Sequence, residues 1–207
     1  MAEITAQAVN EFRKATGLGL MECKTLLKEA DGDVKKAMTL AKEKHGKNAE
    51  NRAGRVTKAG RIEVYIHHDG KSGGMIEVNC ETDFVARNEA FRQLAKDLAL
   101  QVVAARPLCS TREEVPADAL GEQKQVFIAQ AADKPANIRE KIAEGKLNAW
   151  FSEVVLMDQK FVKDETKTIR EMVQEVNART GENITVSRFA RFVVGEAAGP
   201  APAAVAQ

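Results

Sequence analysis

The spacing of apolar residues changes near residue 60, and this change does most to limit the class of fold. Before it, apolar residues recur every three to four positions, which is the period of amphipathic helices. After it, "RIEVYIHH" and "GMIEVNC" alternate apolar and polar residues, and "DGKSGG" between them has turn composition. Alternation on both sides of a turn predicts an antiparallel β-hairpin. We therefore expect a helical N-terminal unit followed by an α+β body.

The N-terminal unit is predicted to contain three short helices. Thr5 can cap the first helix, Gly17 can end it in the left-handed conformation, and Asp33 can cap the third. Leu20 and Met21 follow two glycines and cannot both face inward, so one of them is expected to be exposed and available for contact. The residues that recur at helical spacing in the second and third helices are Leu20, Cys23, Leu26, Leu27, Ala30, Val34, Ala37, Met38 and Ala41.

The body is predicted to combine antiparallel strands with packed helices. Thr168 and Glu171 have the spacing of a capping box that opens a helix closed by Gly181. Slipped alternation near Arg188 and Phe189 predicts a bulge in a final strand. Further helices are expected at about 88–105, 117–131 and 135–151, and a strand at 153–158. The predicted divisions are a three-helix partner-binding module (1–45), a basic linker (46–59), a core (60–196, with halves 60–131 and 132–196) and a disordered tail (197–207).

Charge is nearly balanced over the chain but unevenly distributed. The net charge is +1, and residues 1–61 hold 13 Lys and Arg against 8 Asp and Glu. We interpret the basic segment 42–61 first as an exposed connector and second as an RNA contact. The chain has three cysteines, which are far apart in sequence: Cys23, Cys80 and Cys109. An odd number at such spacing is typical of reduced thiols in a cytoplasmic protein. No apolar run is long enough to predict a membrane span.

Patterns for nucleotide, metal and nucleophile chemistry do not fit the chain. "GKS" at 70–72 would need a glycine where Tyr65 stands, and a helix after it instead of a predicted strand. His67 and His68 are adjacent on a predicted strand, so we expect them to point to opposite faces and not to share a metal. We therefore expect no catalytic residues, no cofactor and no metal, and we favour a binding protein over an enzyme.

The junction "NCETDFVARNEAF" places an aromatic residue beside a carboxylate, between a predicted strand and a predicted helix capped by Asn88. In one interpretation Asp83 is a turn residue and Phe84 folds onto the body. In the other, the pair forms an exposed tip, and Phe84 enters a pocket of a partner while Asp83 places a charge there. The spacing alone leaves both open.

Several segments resemble the elongation factor Ts family of bacteria. "EFRKATGLGLMECKTLLKEADGDVKKAM" is similar to its N-terminal, ubiquitin-associated-like module, and "EVNCETDFVARNEAF" is similar to its core. "EKIAEGKLNAWFSEVVLMDQKFVKDETKTI" and "RFARFVVGE" follow in the family's order. The resemblance implies a guanine nucleotide exchange factor for elongation factor Tu. It also implies the short form with a single copy of the core, which can pair with itself, so a homodimer is possible.

The resemblance also implies which residues contact the partner. The Mg²⁺-dislocating turn would be Thr82, Asp83, Phe84 and Val85, with Phe84 as the apolar wedge, and the contacts of the N-terminal module would be Arg13, Leu20 and Met21. It implies no direct binding of nucleotide, nucleic acid or membrane. Two other functions remain open: an adaptor that uses the ubiquitin-associated-like module on another protein, and an RNA-binding protein that uses the basic linker.

Overall fold

The order of the elements agrees with a helical unit followed by an α+β body in residues 4–133 and 135–196, which the computed structural model describes. The predicted tail, 197–207, lies outside the described residues. The helices are α1 (Ala6–Thr16), α2 (Leu20–Glu29), α3 (Val34–Arg52), α4 (Asp83–Ala86), α5 (Glu89–Ala105), α6 (Ala117–Ala129), α7 (Ala136–Val154) and α8 (Ile169–Thr180). The strands are β1 (Ala59–Ile66), β2 (Ser72–Cys80), β3 (Lys160–Phe161), β4 (Asp164–Thr168) and β5 (Thr185–Val193).

Helices α1, α2 and α3 pack around an apolar cluster of their own. Thr5 and Asp33 cap α1 and α3 through side-chain oxygens, and Gly17 ends α1 with a left-handed φ of 72°, so these predictions are confirmed. Leu20 and Val34 have the helical spacing of the cluster but are exposed, because each is the first residue of its helix. The buried residues are Val9, Phe12, Leu18, Cys23, Leu26, Leu27, Ala30, Ala37 and Ala41.

Helix α3 is longer than predicted and includes the first part of the predicted linker. It continues to Arg52, which leaves only 53–58 of the predicted linker 46–59 outside helices and strands. The Arg52 guanidinium donates to the carbonyl oxygen of Asn177 on α8 at 3.3 Å. Ala178 of α8 also packs against the apolar cluster of the module. The three-helix module is therefore docked on α8.

Strands β1, β2 and β5 form an antiparallel sheet in the order β1-β2-β5, which confirms the predicted hairpin. Glu77 pairs with Arg188 and Val78 with Val186, so Ser187 is an extra residue next to the predicted bulge position. One face of the sheet is covered by α5, and no helix or strand in the described part of the chain covers the other. We call this second face the outer sheet face, and its exposed apolar side chains are Ile62, Val64, Ile66, Met75 and Phe192.

The main core lies between the covered face of the sheet and helices α5 and α8. Ile76 and Val78 are fully buried there against Phe91 and Leu98 of α5. Thr168 opens α8 with the predicted capping box, in which the backbone N–H of Thr168 donates to the Glu171 carboxylate at 2.9 Å. The core contacts of Ile76 and Val78 hold β2 in place, and the junction of interest begins where this strand ends.

The prediction of a strand at 153–158 is wrong. Helix α7 continues to Val154, Val155 forms a single bridge to Cys109, and a 3₁₀ turn follows at Leu156–Asp158. The backbone N–H of Leu156 donates to the Cys109 carbonyl oxygen at 2.9 Å. Val155 and Leu156 are fully buried, but their backbone pairs with the loop at Cys109 over too short a stretch to make a strand.

The prediction that His67 and His68 point to opposite faces is also wrong. Strand β1 ends at Ile66, so both histidines lie in the turn, and their ring centroids are 4.3 Å apart. Among the described residues no group of three or more His, Cys, Asp or Glu side chains could hold a metal ion. In the same part of the chain, no helix is long and apolar enough to cross a membrane.

Candidate partner-binding site

The junction after β2 folds as a single helical turn. Thr82 is its N-cap, and the Thr82 side-chain oxygen accepts from the backbone N–H of Val85 at 3.4 Å. The Ala86 N–H donates to the Thr82 carbonyl oxygen at 3.2 Å. Asn88 then caps α5, as predicted, by accepting from the Ala90 N–H at 2.8 Å. Two caps in succession therefore define the tip, which we take as residues 82–85.

Burial divides the tip into an inner and an outer side. Val85 and Ala86 belong to the main core, and Val85 is only 5% exposed. Phe84 is 84% exposed, so the interpretation in which its ring folds onto the body is wrong. Asp83 is exposed in the first turn of α4, where the helix dipole favours a carboxylate. In this conformation Val85 anchors the tip, whereas Phe84 is available for contact.

A second turn, between α8 and β5, supports the tip from a distant part of the chain. The Glu182 carboxylate accepts from the backbone N–H groups of Glu81 and Thr82, both at 3.1 Å, and from the Thr82 hydroxyl at 2.6 Å. Sequence reasoning missed Glu182, because the contact spans about a hundred residues and has no local pattern.

The charges around the tip shift two pKa values in opposite directions. The backbone N–H of Asn183 and the guanidinium of Arg55 lower the pKa of the Glu81 carboxyl. Burial, together with the charge of Glu182, raises the pKa of the Cys80 thiol to about 11. At neutral pH Glu81 is therefore ionised, and Cys80 is a neutral thiol.

The module residues lie on elements separate from the tip. Arg13 is exposed on α1, and Leu20 and Met21 begin α2 with 50% and 73% of their surface exposed. Both apolar side chains are therefore exposed, whereas the sequence predicted exposure of one of them. The tip packs on β1, β2 and α5, so the exposed residues of the tip and those of the module lie in two separate parts of the fold.

Comparison with known proteins decides the family. The family model described as elongation factor TS matches residues 2–196. The chain belongs to the elongation factor Ts family. Elongation factor Ts of Thermotoga petrophila is 46% identical over 94% of this chain and 98% of its own length. The protein of the same name from Finegoldia magna is 47% identical over 95% and 92%, and that of Geobacter sulfurreducens is 48% identical over 93% and 90%.

Membership in this family assigns the class of activity and the partner. Elongation factors Ts are nucleotide exchange factors for elongation factor Tu in translation elongation, and the chain is therefore an exchange factor of this kind. Exchange of a bound nucleotide makes and breaks no covalent bond. The residues that matter for this activity are therefore surface residues that can contact a GTPase. Phe84 is the most exposed large apolar side chain among the described residues.

Proposed function

We propose that Phe84 enters the GTP-binding domain of elongation factor Tu near its Mg²⁺ site and promotes release of GDP. The observation that carries this proposal is an 84% exposed ring on a helical turn whose next two residues are buried. Asp83 places a carboxylate beside the ring, where it would compete for the ligands or the water shell of the cation. Translation elongation takes place in the bacterial cytoplasm, and we place the protein there.

The burial energy of such a wedge is a large part, but not all, of the free energy that exchange requires. An exchange factor binds the nucleotide-free GTPase more tightly than the GDP-bound form, and linkage requires that GDP binding be weakened by the same factor. A thousandfold faster release corresponds to about 4 kcal/mol. Burial of one Phe side chain contributes roughly 1.5–3 kcal/mol. The remainder has to come from loss of Mg²⁺ contacts and from other contacts that hold the wedge in place.

The N-terminal module is proposed to supply the second contact. Leu20 and Met21 are adjacent and exposed at the start of α2, and Arg13 adds a positive charge on α1. Docking of the module on α8 keeps these side chains in a fixed relation to the core. A fixed relation between two contact regions lowers the entropy lost when both bind one partner.

The test is release of fluorescent GDP from elongation factor Tu with and without this protein. Phe84→Ala is expected to slow catalysed release at least about tenfold, because the variant removes roughly 1.5–3 kcal/mol of burial on the partner. The matched control is Leu108→Ala, which truncates another strongly exposed apolar side chain and should leave the rate unchanged. An unchanged rate for a folded Phe84→Ala variant rejects the wedge.

We also propose a homodimer formed through the outer sheet face. Five apolar side chains of this face are exposed, and monomeric proteins rarely expose a contiguous apolar patch of this kind. A two-fold axis would place the same face of two copies together. Pairing of the short form within the family, as the sequence resemblance implies, is in line with this arrangement.

The adaptor and RNA-binding alternatives have less support. The family match spans the module and the core together, which favours a shared role in exchange over a free-standing adaptor. In the basic segment, four side chains form ion pairs with carboxylates of this chain, and these are Lys42, Lys44, Arg55 and Arg61. Charges satisfied in this way favour a docked connector over a surface for phosphate groups.

A further inference from the structure

The turn between α8 and β5 is built around a carboxylate that faces the tip. Gly181 ends α8 with a left-handed φ of 77°, which brings the next two residues out of the helix. Glu182 Oε2 accepts from two backbone N–H groups, those of Glu81 and Thr82, and Glu182 Oε1 accepts from the Thr82 hydroxyl. Hydrogen bonds to a charged acceptor are about twice as strong as neutral ones. This carboxylate therefore fixes both the backbone and the side chain of the N-cap.

A second carboxylate, that of Glu81 just before the tip, accepts a hydrogen bond from the turn between α8 and β5. Glu81 Oε1 accepts from the backbone N–H of Asn183 at 2.6 Å and from the Arg55 guanidinium at 3.3 Å. The Asn183 side-chain amide donates to the Arg55 carbonyl oxygen at 3.2 Å. The tip, the connector after α3 and the α8–β5 turn are thereby joined in one hydrogen-bonded network.

A helix of four residues is too short to be stable by itself, because nucleation of a helical turn is unfavourable. Burial of Val85 and Ala86 fixes which side of α4 faces the core. It leaves the direction of the N-terminal end of the turn to be set by the contacts of Thr82. We infer that Glu182 is a positioning residue that holds this end so that Phe84 points away from the core, ready for its partner. This inference rests on the proposed function of Phe84.

The first test measures the free protein and does not depend on the wedge. Removal of the carboxylate in Glu182→Ala should expose the backbone of α4 to solvent. The amide hydrogens of Ala86, Arg87 and Asn88, which close the turn, should then exchange at least about tenfold faster, while the amides of β2 keep their protection. The matched control is Glu144→Ala on the exposed side of α7, which should leave the tip unchanged. Unchanged tip amides in Glu182→Ala overturn the inference.

The second test is a double-mutant cycle in the GDP-release assay. Glu182→Ala, which removes all three of these hydrogen bonds, is expected to slow catalysed release at least about tenfold. Because it acts through the ring, it should add almost nothing in a Phe84→Ala background. Effects that multiply in the double variant overturn the positioning role. If Glu182→Ala fails to fold, Glu182→Met, which keeps an unbranched side chain of similar length but loses both acceptor oxygens, is used with the same criteria.

The outcomes separate this inference from the proposal on which it rests. A slow Phe84→Ala variant together with a fully active Glu182→Ala variant overturns the positioning role alone. A fully active Phe84→Ala variant rejects the wedge, and the positioning role in exchange is then overturned with it, whatever the amides show. Faster tip amides, slower release and no further effect in the double variant support both.

Discussion

Val64 lies in the middle of the apolar row on β1, an edge strand of the outer sheet face, and provides the most direct test of the proposed dimer. It stands between Ile62 and Ile66 on β1, opposite Met75 on β2, and is 49% exposed. In a dimer through this face, Val64→Asp would bury an unpaired carboxylate in each subunit, close to its symmetry mate. An unpaired charge buried in an interface destabilises the complex by about 3 kcal/mol or more. About 1.4 kcal/mol changes a dissociation constant tenfold. We therefore expect the dimer to weaken more than about a hundredfold.

The assay is sedimentation velocity over a wide range of protein concentration. The unchanged protein should approach twice the 22.6 kDa chain mass, whereas Val64→Asp should stay at one chain mass. Val162→Asp is the matched control, because it makes the same substitution at a similar exposure, 43%, in the turn between β3 and β4. A Val64→Asp protein that dimerises like the control shows that another surface is used. A single-chain mass for the unchanged protein at high concentration refutes the dimer.

Two further predictions concern stability and thiol chemistry. A Cβ on Gly60 would lie 2.5 Å from the Val78 carbonyl oxygen, so Gly60→Ala should lower stability by roughly 1–3 kcal/mol. Gly145→Ala, in open space within α7, should raise it by up to about 1 kcal/mol, and denaturant unfolding distinguishes the two. The pKa of the Cys80 thiol is raised to about 11 and its side chain is fully buried, so native Cys80 should be alkylated at least about a hundredfold more slowly at pH 8 than in urea. Equal rates by mass spectrometry would contradict this.

The features that sequence reasoning predicted correctly depend on neighbours along the chain. The capping box of Thr168 and Glu171 spans four residues, and the caps of Thr5 and Asn88 act within their own first turns. Left-handed ends at Gly17 and Gly181 depend on a single backbone conformation. Such features can be predicted from a few consecutive residues, because the atoms that stabilise them belong to those residues.

The features that sequence reasoning did not predict depend on distant parts of the chain. Alternation on β1 separates Ile62 and Val64 from Arg61 and Glu63, but it does not say which face another element covers. Among the described elements none covers the apolar side, while Arg61 and Glu63 form an ion pair at 2.8 Å on the other side. Glu182 likewise has no local signal, because its three donors lie about a hundred residues away.

Rigidity of the tip determines how much of the burial energy of Phe84 can act on a partner. Ordering a flexible backbone costs about 1–2 kcal/mol for each residue, so a disordered loop of the same four residues would use more free energy than one ring returns. Here Val85 is already buried, and the N-cap is already bound by Glu182. Docking would then restrict mainly the ring itself, at roughly 0.5–1.5 kcal/mol. The hydrogen bonds beneath the turn are therefore as necessary to the proposed exchange activity as the exposed ring above it.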